Sequence, residues 1–138
     1  MDLGTAIAGL NWLAVVLAAA TAFAIGALWY SKKAFGNAWM LEVGLTDETV
    51  ARGNMLLTFA GTFVLQLVAA TALAFFLGSG SDWLIGLQAG LLVAVCWIAT
   101  AYGVTYFFEQ RSLRLYLINA GYYLVLFAVM GTIIGALN

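Results

Sequence analysis

The chain has no histidine and no proline, a single cysteine, and only five basic and six acidic side chains. Each shortage removes a class of function. Without histidine the usual haem and zinc ligand is gone, and so is the usual proton shuttle near neutral pH. That argues against most membrane redox enzymes. Cys96 alone forms neither an intramolecular disulfide nor a thiolate metal cluster, and within an apolar run it reads as a small buried hydrophobe. With no proline, no helix carries a kink signal. A formal net charge of -1, with the basic residues scattered, offers no stripe for phosphate backbones, so no nucleic acid is expected as a partner.

What the chain does have is apolar surface. Hydrophobic residues make up 65% and charged residues 8%, against roughly a quarter charged in soluble domains, so water is the wrong solvent. Four apolar segments, each of about 20 residues, are long enough to cross about 30 Å of hydrocarbon as helices. They are too long and continuous for strands, and barrel strands would alternate. The expected fold is all-α: a membrane-embedded antiparallel four-helix bundle forming one domain over 1–138, with helices at about 10–30, 47–77, 83–108 and 113–137. The lipid bilayer is its first partner. No internal repeat is visible, because the first helix pair has a long charged loop and the second a short one.

Trp12 at one end of the first segment and Trp29-Tyr30 at the other suit the two membrane interfaces. The start, Met1-Asp2-Leu3, lacks a basic n-region, so this helix is expected to stay attached rather than act as a signal peptide. Between Ser31 and Asn54 most of the charge appears, and Phe35, Trp39 and Val43 recur every four residues. That spacing predicts a short interfacial helix in the first loop. Thr46 reads as an N-cap, with Asp47 and Glu48 in the first turn where the helix dipole favours negative charge. Gly78-Ser79-Gly80-Ser81-Asp82 reads as a tight turn. All five basic residues, Lys32, Lys33, Arg52, Arg111 and Arg114, fall at the first and third loops. The positive-inside rule therefore predicts both termini outside and both charged loops in the cytoplasm.

Helices in lipid pack through small residues and polar side chains. Gly86-x-x-x-Gly90 and Gly131-x-x-x-Gly135 lie at similar depth on the last two helices, and the expectation is that they face each other. On the second helix Thr58, Thr62, Gln66, Ala69 and Ala72 form a polar and small stripe with Gln66 near mid-membrane. A glutamine amide facing lipid would be expensive, so the stripe is expected to face protein. It serves either an interhelical hydrogen bond or a substrate or ion path. Trp29, Tyr30, Thr58, Tyr102, Tyr106, Asn119 and Tyr123 fall at comparable depth, as a small polar pocket or as interfacial tyrosines with one amide stitching helices together. No charged residue lies deep in any span, which disfavours proton- or cation-coupled transport. There is no Ser-His-Asp set, no HExxH, no phosphate-binding glycine loop and no paired carboxylates, so no catalytic residue, metal or cofactor is assigned.

Two stretches carry a family resemblance. Gly26-Ala-Leu-Trp-Tyr-Ser31 followed by Phe35-Gly36-x-x-Trp39-Met40 is one. Phe108-Glu109-x-Arg111-x-Leu113, continuing through Leu117-Ile-Asn119-Ala-Gly121-Tyr122 to Met130-Gly131, is the other. The sequence resembles bacterial domain-of-unknown-function family 1761, small membrane proteins of four helices. The resemblance covers nearly the whole chain and implies a bacterial inner-membrane location and a similar helix layout, with no activity, cofactor or catalytic residues.

The leading expectation is a non-enzymatic accessory, assembly or self-associating membrane protein, whose contact surface would comprise Trp29, Tyr30, Phe35 and Trp39. Its partners would be a second copy or a larger membrane complex. The alternative is a small oligomeric channel or carrier for an uncharged or weakly charged solute, with a path near Gln66 and Asn119. A third reading is a lipid- or small-molecule-binding protein using Thr58, Thr62, Gln66, Tyr102, Asn119 and Tyr123.

Overall fold

Each of the four long helical segments starts on a polar side chain that satisfies backbone N–H groups of the first turn. Asn11, Asn54 and Ser112 accept from the amides of Ala14, Leu57 and Leu115, and Asp82 accepts from both Leu84 and Ile85. The computed structural model describes residues 2–138. It is all-α: α1 spans Leu3–Ala8, α2 Trp12–Trp29, α3 Gly36–Val43, α4 Asp47–Arg52 and α5 Met55–Leu77. Helix α6 spans Trp83–Val93, a π-helical segment covers Ala94–Ala99, α7 spans Thr100–Glu109 and α8 Leu113–Leu137. Helices α2, α5, α6 through α7, and α8 are long and apolar enough to cross a membrane. The all-α four-helix reading holds, with α3 as the short helix in the first loop.

Three details differ from the sequence expectation. The helix expected over 47–77 is two helices, because Gly53 and Asn54 are extended and Asn54 caps a fresh start. The charged residues Asp47, Glu48 and Arg52 thus stay on α4, clear of the apolar run, and Thr46 caps α4 through the Thr49 amide. The third long helix is interrupted without proline by the π segment. A short α1, capped by Asp2, precedes the first long helix.

Helix α8 is the hub. It packs along α2 on one side and along α6 on the other, while α5 leans mainly on α2. Helices α5 and α6 meet near their shared turn, and toward the other end α5 and α7 hardly touch. The bundle is therefore closed on three seams and open on the fourth.

The end carrying both termini and the Gly78–Asp82 turn is the tight one. A Cβ on Gly86 would overlap the Gly131 carbonyl, and one on Gly90 the Phe127 carbonyl. Conversely, a Cβ on Gly131 would strike the Gly86 carbonyl and one on Gly135 the Asp82 carbonyl. The four glycines thus lie in one backbone-to-backbone contact between α6 and α8. Val15, Ala18, Met130 and Ile134 are buried beside it. The Asn11 side-chain amide donates to the Leu137 carbonyl at 2.7 Å, and that of Asn138 to the Gly78 carbonyl at 2.9 Å.

At the opposite end, α3 and α4 form a strap. Lys32 pairs with Asp47 at 2.8 Å. Ser112, which caps α8, also donates to Glu42 at 2.6 Å, holding α3 against the start of α8. Trp39 and Val50 of the strap line the interior space at that end.

Candidate functional site

The π segment orients one wall of the interior. A π turn carries one more residue than an α turn, so it rotates everything after it by about 100° relative to an uninterrupted α-helix. Its carbonyls find partners: Thr100 Oγ1 donates to Cys96 and Trp97, and Tyr116 Oη reaches across from α8 to Ala99 at 3.1 Å. Beyond the segment Tyr102 and Tyr106 are half-buried, while Phe107 and Phe108 point out. Cys96 lies on the exposed side of the segment, which corrects its expected burial.

Asn119, 9% exposed, is the clamp of this end. Its Oδ1 accepts from Tyr30 Oη at 2.7 Å and its Nδ2 donates to Tyr106 Oη at 2.7 Å, so one amide joins the end of α2, α7 and α8. Trp29 Nε1 donates to the Ile118 carbonyl at 3.0 Å, and its ring lies over Gly121. Tyr30 stands edge-on to Trp39 and to Tyr122, with centroids 5.3 and 5.1 Å away. These contacts bring the two sequence stretches that carry the resemblance face to face, Gly26, Trp29 and Tyr30 against Asn119, Gly121 and Tyr122.

Under this clamp lies a cavity of about 720 Å³ that opens along the α5–α7 seam. Its size falls within the range of small-molecule sites. Phe23, Phe59, Leu65, Leu126 and Phe127 supply apolar walls. Thr58, Thr62, Gln66, Tyr102, Asn119 and Tyr123, the candidate pocket residues from the sequence, all line it. No charged residue is among its lining.

The polar lining residues differ in what they have left to offer. Thr58 and Thr62 border the cavity, but their hydroxyls donate back to the carbonyls of Asn54 and Thr58 within their own helix. Asn119 has a partner at each end of its amide. Gln66, 8% exposed, donates through Nε2 to Tyr122 Oη at 3.0 Å, and its Oε1 has no hydrogen-bond partner among the described residues.

Two sequence expectations need correction here. The buried face of α5 runs through Gln66, Ala70, Leu73 and Ala74, and Ala72 is exposed in an outer apolar groove with Leu3 and Ile7. The helix phase explains this: Ala70, Leu73 and Ala74 follow Gln66 by four, seven and eight residues, whereas Ala72 follows by six. Nor do Trp29, Tyr30, Phe35 and Trp39 form a free contact surface. Three of them turn inward to Ile118, Asn119 and the cavity, leaving Phe35, 42% exposed, tilted on Trp29 at 4.7 Å.

Tyr122 and Gly26 are the residues that the site reading missed. Tyr122 is buried, partners Gln66, and has its hydroxyl 2.9 Å from where a Cβ on Gly26 would stand. The signal was helical phase, since Tyr122 lies one turn after Asn119 and one before Leu126 on the buried face of α8.

The model of a family described as protein of unknown function (DUF1761) matches residues 13–135. Neither a curated protein nor a solved structure matches the chain.

Proposed function

The chain belongs to the DUF1761 family of proteins of unknown function, and we propose that it is a multi-pass membrane protein that binds an uncharged amphiphile in its lateral cleft. The observation that carries this reading is the roughly 720 Å³ cavity, apolar-walled, lined by no charged residue, and bordered by the sparsely packed α5–α7 seam, which in a membrane would face lipid. A lipid-phase ligand enters such a cleft sideways without crossing water. A charged ligand finds no counter-charge there and would bear a large desolvation cost.

This reading is preferred over a conduit and over a purely structural accessory subunit. Past Gln66 the interior is apolar and packed, with Ala18, Ala70, Leu73, Met130 and Ile134 buried, so the cleft ends partway across. A scaffold has no need of an unpaired buried amide oxygen. The protein acts by binding rather than catalysis in this reading, because the lining has no nucleophile activated by a base.

The proposed setting is the bacterial cytoplasmic membrane, with the α3–α4 strap inside and both termini outside. A reporter fused after Asn138 should then be active only if it functions outside the cytoplasm. Activity of a cytoplasm-only reporter at that position would reverse the orientation.

Thr62→Phe tests the binding itself. Thr62 faces the cavity and its hydroxyl holds nothing outside its own helix, so a phenyl ring there intrudes on the cleft beside Gln66 without removing a tertiary hydrogen bond. Protein purified in lipid nanodiscs should retain about one uncharged amphiphile per chain, seen by solvent extraction and mass spectrometry, and the variant should lose it. Identical extracts from folded wild type and variant would overturn the reading.

A further inference from the structure

The amides of the two buried polar residues in the cleft are used differently, and the difference points to a ligand group. Asn119 has both amide ends engaged, by Tyr30 and Tyr106, which suits a structural clamp. Gln66 has one, to Tyr122. A side-chain amide holds two donor hydrogens and an acceptor oxygen, and a phenol holds one donor and acceptor lone pairs. With Nε2 donating to Tyr122 Oη, what remains is the Gln66 Oε1 acceptor, a second amide hydrogen and the Tyr122 O–H. Leaving an acceptor with almost no accessible surface unpaired is costly, and Gln66 lines the cleft, so a donor there is expected to reach Oε1 through a turn of the amide about its soft terminal torsion.

We propose that Gln66 and Tyr122 form a head-group site for an uncharged amphiphile that bears a hydroxyl. The hydroxyl donates to Gln66 Oε1 and accepts from the amide hydrogen or the phenol of the same pair. A carbonyl or ether only accepts and would leave Oε1 orphaned. A carboxylate or ammonium meets no opposite charge among the lining residues. Turned end for end, the amide would accept from Tyr122 and offer only donors, which an ether satisfies as well as a hydroxyl, so a preference for the alcohol reports the orientation with Oε1 free. Gly26 contributes by having no side chain, which leaves room for the Tyr122 hydroxyl against α2. The tail lies against Phe23, Phe59, Leu65 and Phe127 and leaves through the α5–α7 seam.

This assignment rests on the cleft-binding reading above, and the test separates the two. Decan-1-ol and decyl methyl ether, which differ in the presence of the O–H, are titrated into the nanodisc-embedded protein while its melting temperature is followed. A ligand that binds the folded state raises that temperature saturably. The expected result is a saturable shift with both probes, with the alcohol binding about three- to tenfold tighter. In Gln66→Met the preference should shrink toward one while the ether's binding is kept. Gln66→Leu is a second apolar replacement that reports if Gln66→Met fails to fold, and Tyr122→Phe, which keeps Oε1, should retain the preference. Equal binding of the two probes in the wild type, or a preference that survives in folded Gln66→Met or Gln66→Leu, overturns the head-group assignment and leaves the cleft. No saturable shift with either probe overturns the cleft reading as well, with water as the only occupant.

Discussion

Gly90→Leu is expected to cost about 3–5 kcal/mol, enough to leave little folded protein in mild detergent. The reason is backbone, not side chain. A Cβ at this position would stand inside the Phe127 carbonyl and 3.3 Å from the Ala128 amide nitrogen, and a carbonyl in a regular helix has nowhere to rotate. Helices α6 and α8 must then move apart along the seam where Gly86, Gly131 and Gly135 make the same approach from either side. Without a hydrophobic force between helices in lipid, nothing replaces the lost close packing. Gly61→Leu is the internal control: nothing lies within 4 Å of its Cβ position, so the change should be neutral or slightly stabilising through helix propensity. Reversible unfolding in mixed micelles reads both. Equal stability of Gly90→Leu and Gly61→Leu would show that α6 and α8 do not meet through their glycines.

That contact was legible in the sequence because glycine spacing encodes it directly. Two small residues four apart mark one face of a helix, and two such pairs at equal depth on neighbouring antiparallel helices leave few ways to pack. The spans and the capping Thr46 were legible for a similar reason, since hydrophobic length and a side-chain oxygen before an acidic turn are local signals. Two features were not. The split between α4 and α5 depends on Asn54 capping a second start inside what reads as one helix. The π segment depends on Thr100 and Tyr116 satisfying its carbonyls, and Tyr116 lies beyond the following turn.

The site was half legible. Gln66 and Asn119 announce themselves as amides in apolar runs, and their cost in lipid requires partners. Which partners depends on helix rotation: Tyr122 rather than Tyr123 meets Gln66, although the two tyrosines are adjacent in sequence. The aromatic cluster at Trp29, Tyr30 and Trp39 looked like a surface because interfacial aromatics usually face lipid headgroups. The strap folds Trp39 back over Tyr30 instead, and that fold depends on one glycine.

Gly36 is that glycine, and Gly36→Val should cost about 2–4 kcal/mol and empty the cleft. A Cβ on Gly36 would overlap the Tyr30 carbonyl and lie 2.7 Å from the Ser31 carbonyl carbon and oxygen. The turn is closed by its own hydrogen bonds, Phe35 N–H to the Trp29 carbonyl and Gly36 N–H to that of Ser31, both 2.9 Å. It therefore cannot relax without losing them. If the turn opens, α3 swings off the bundle, Trp39 leaves Tyr30, and Glu42 leaves the Ser112 hydroxyl that caps α8. Two measurements follow from one substitution: a lower melting temperature, and loss of the retained small molecule because Trp39 no longer lines the cleft. Gly103→Ala gives the comparison, because its added methyl would meet only the Tyr116 ring at 3.6 Å, an ordinary contact. Even Gly36→Ala should destabilise more than Gly103→Ala, since the obstacle at Gly36 is backbone and the neighbour at Gly103 is a side chain that can yield. If the two alanine variants melt together, the strap is not anchored at Gly36.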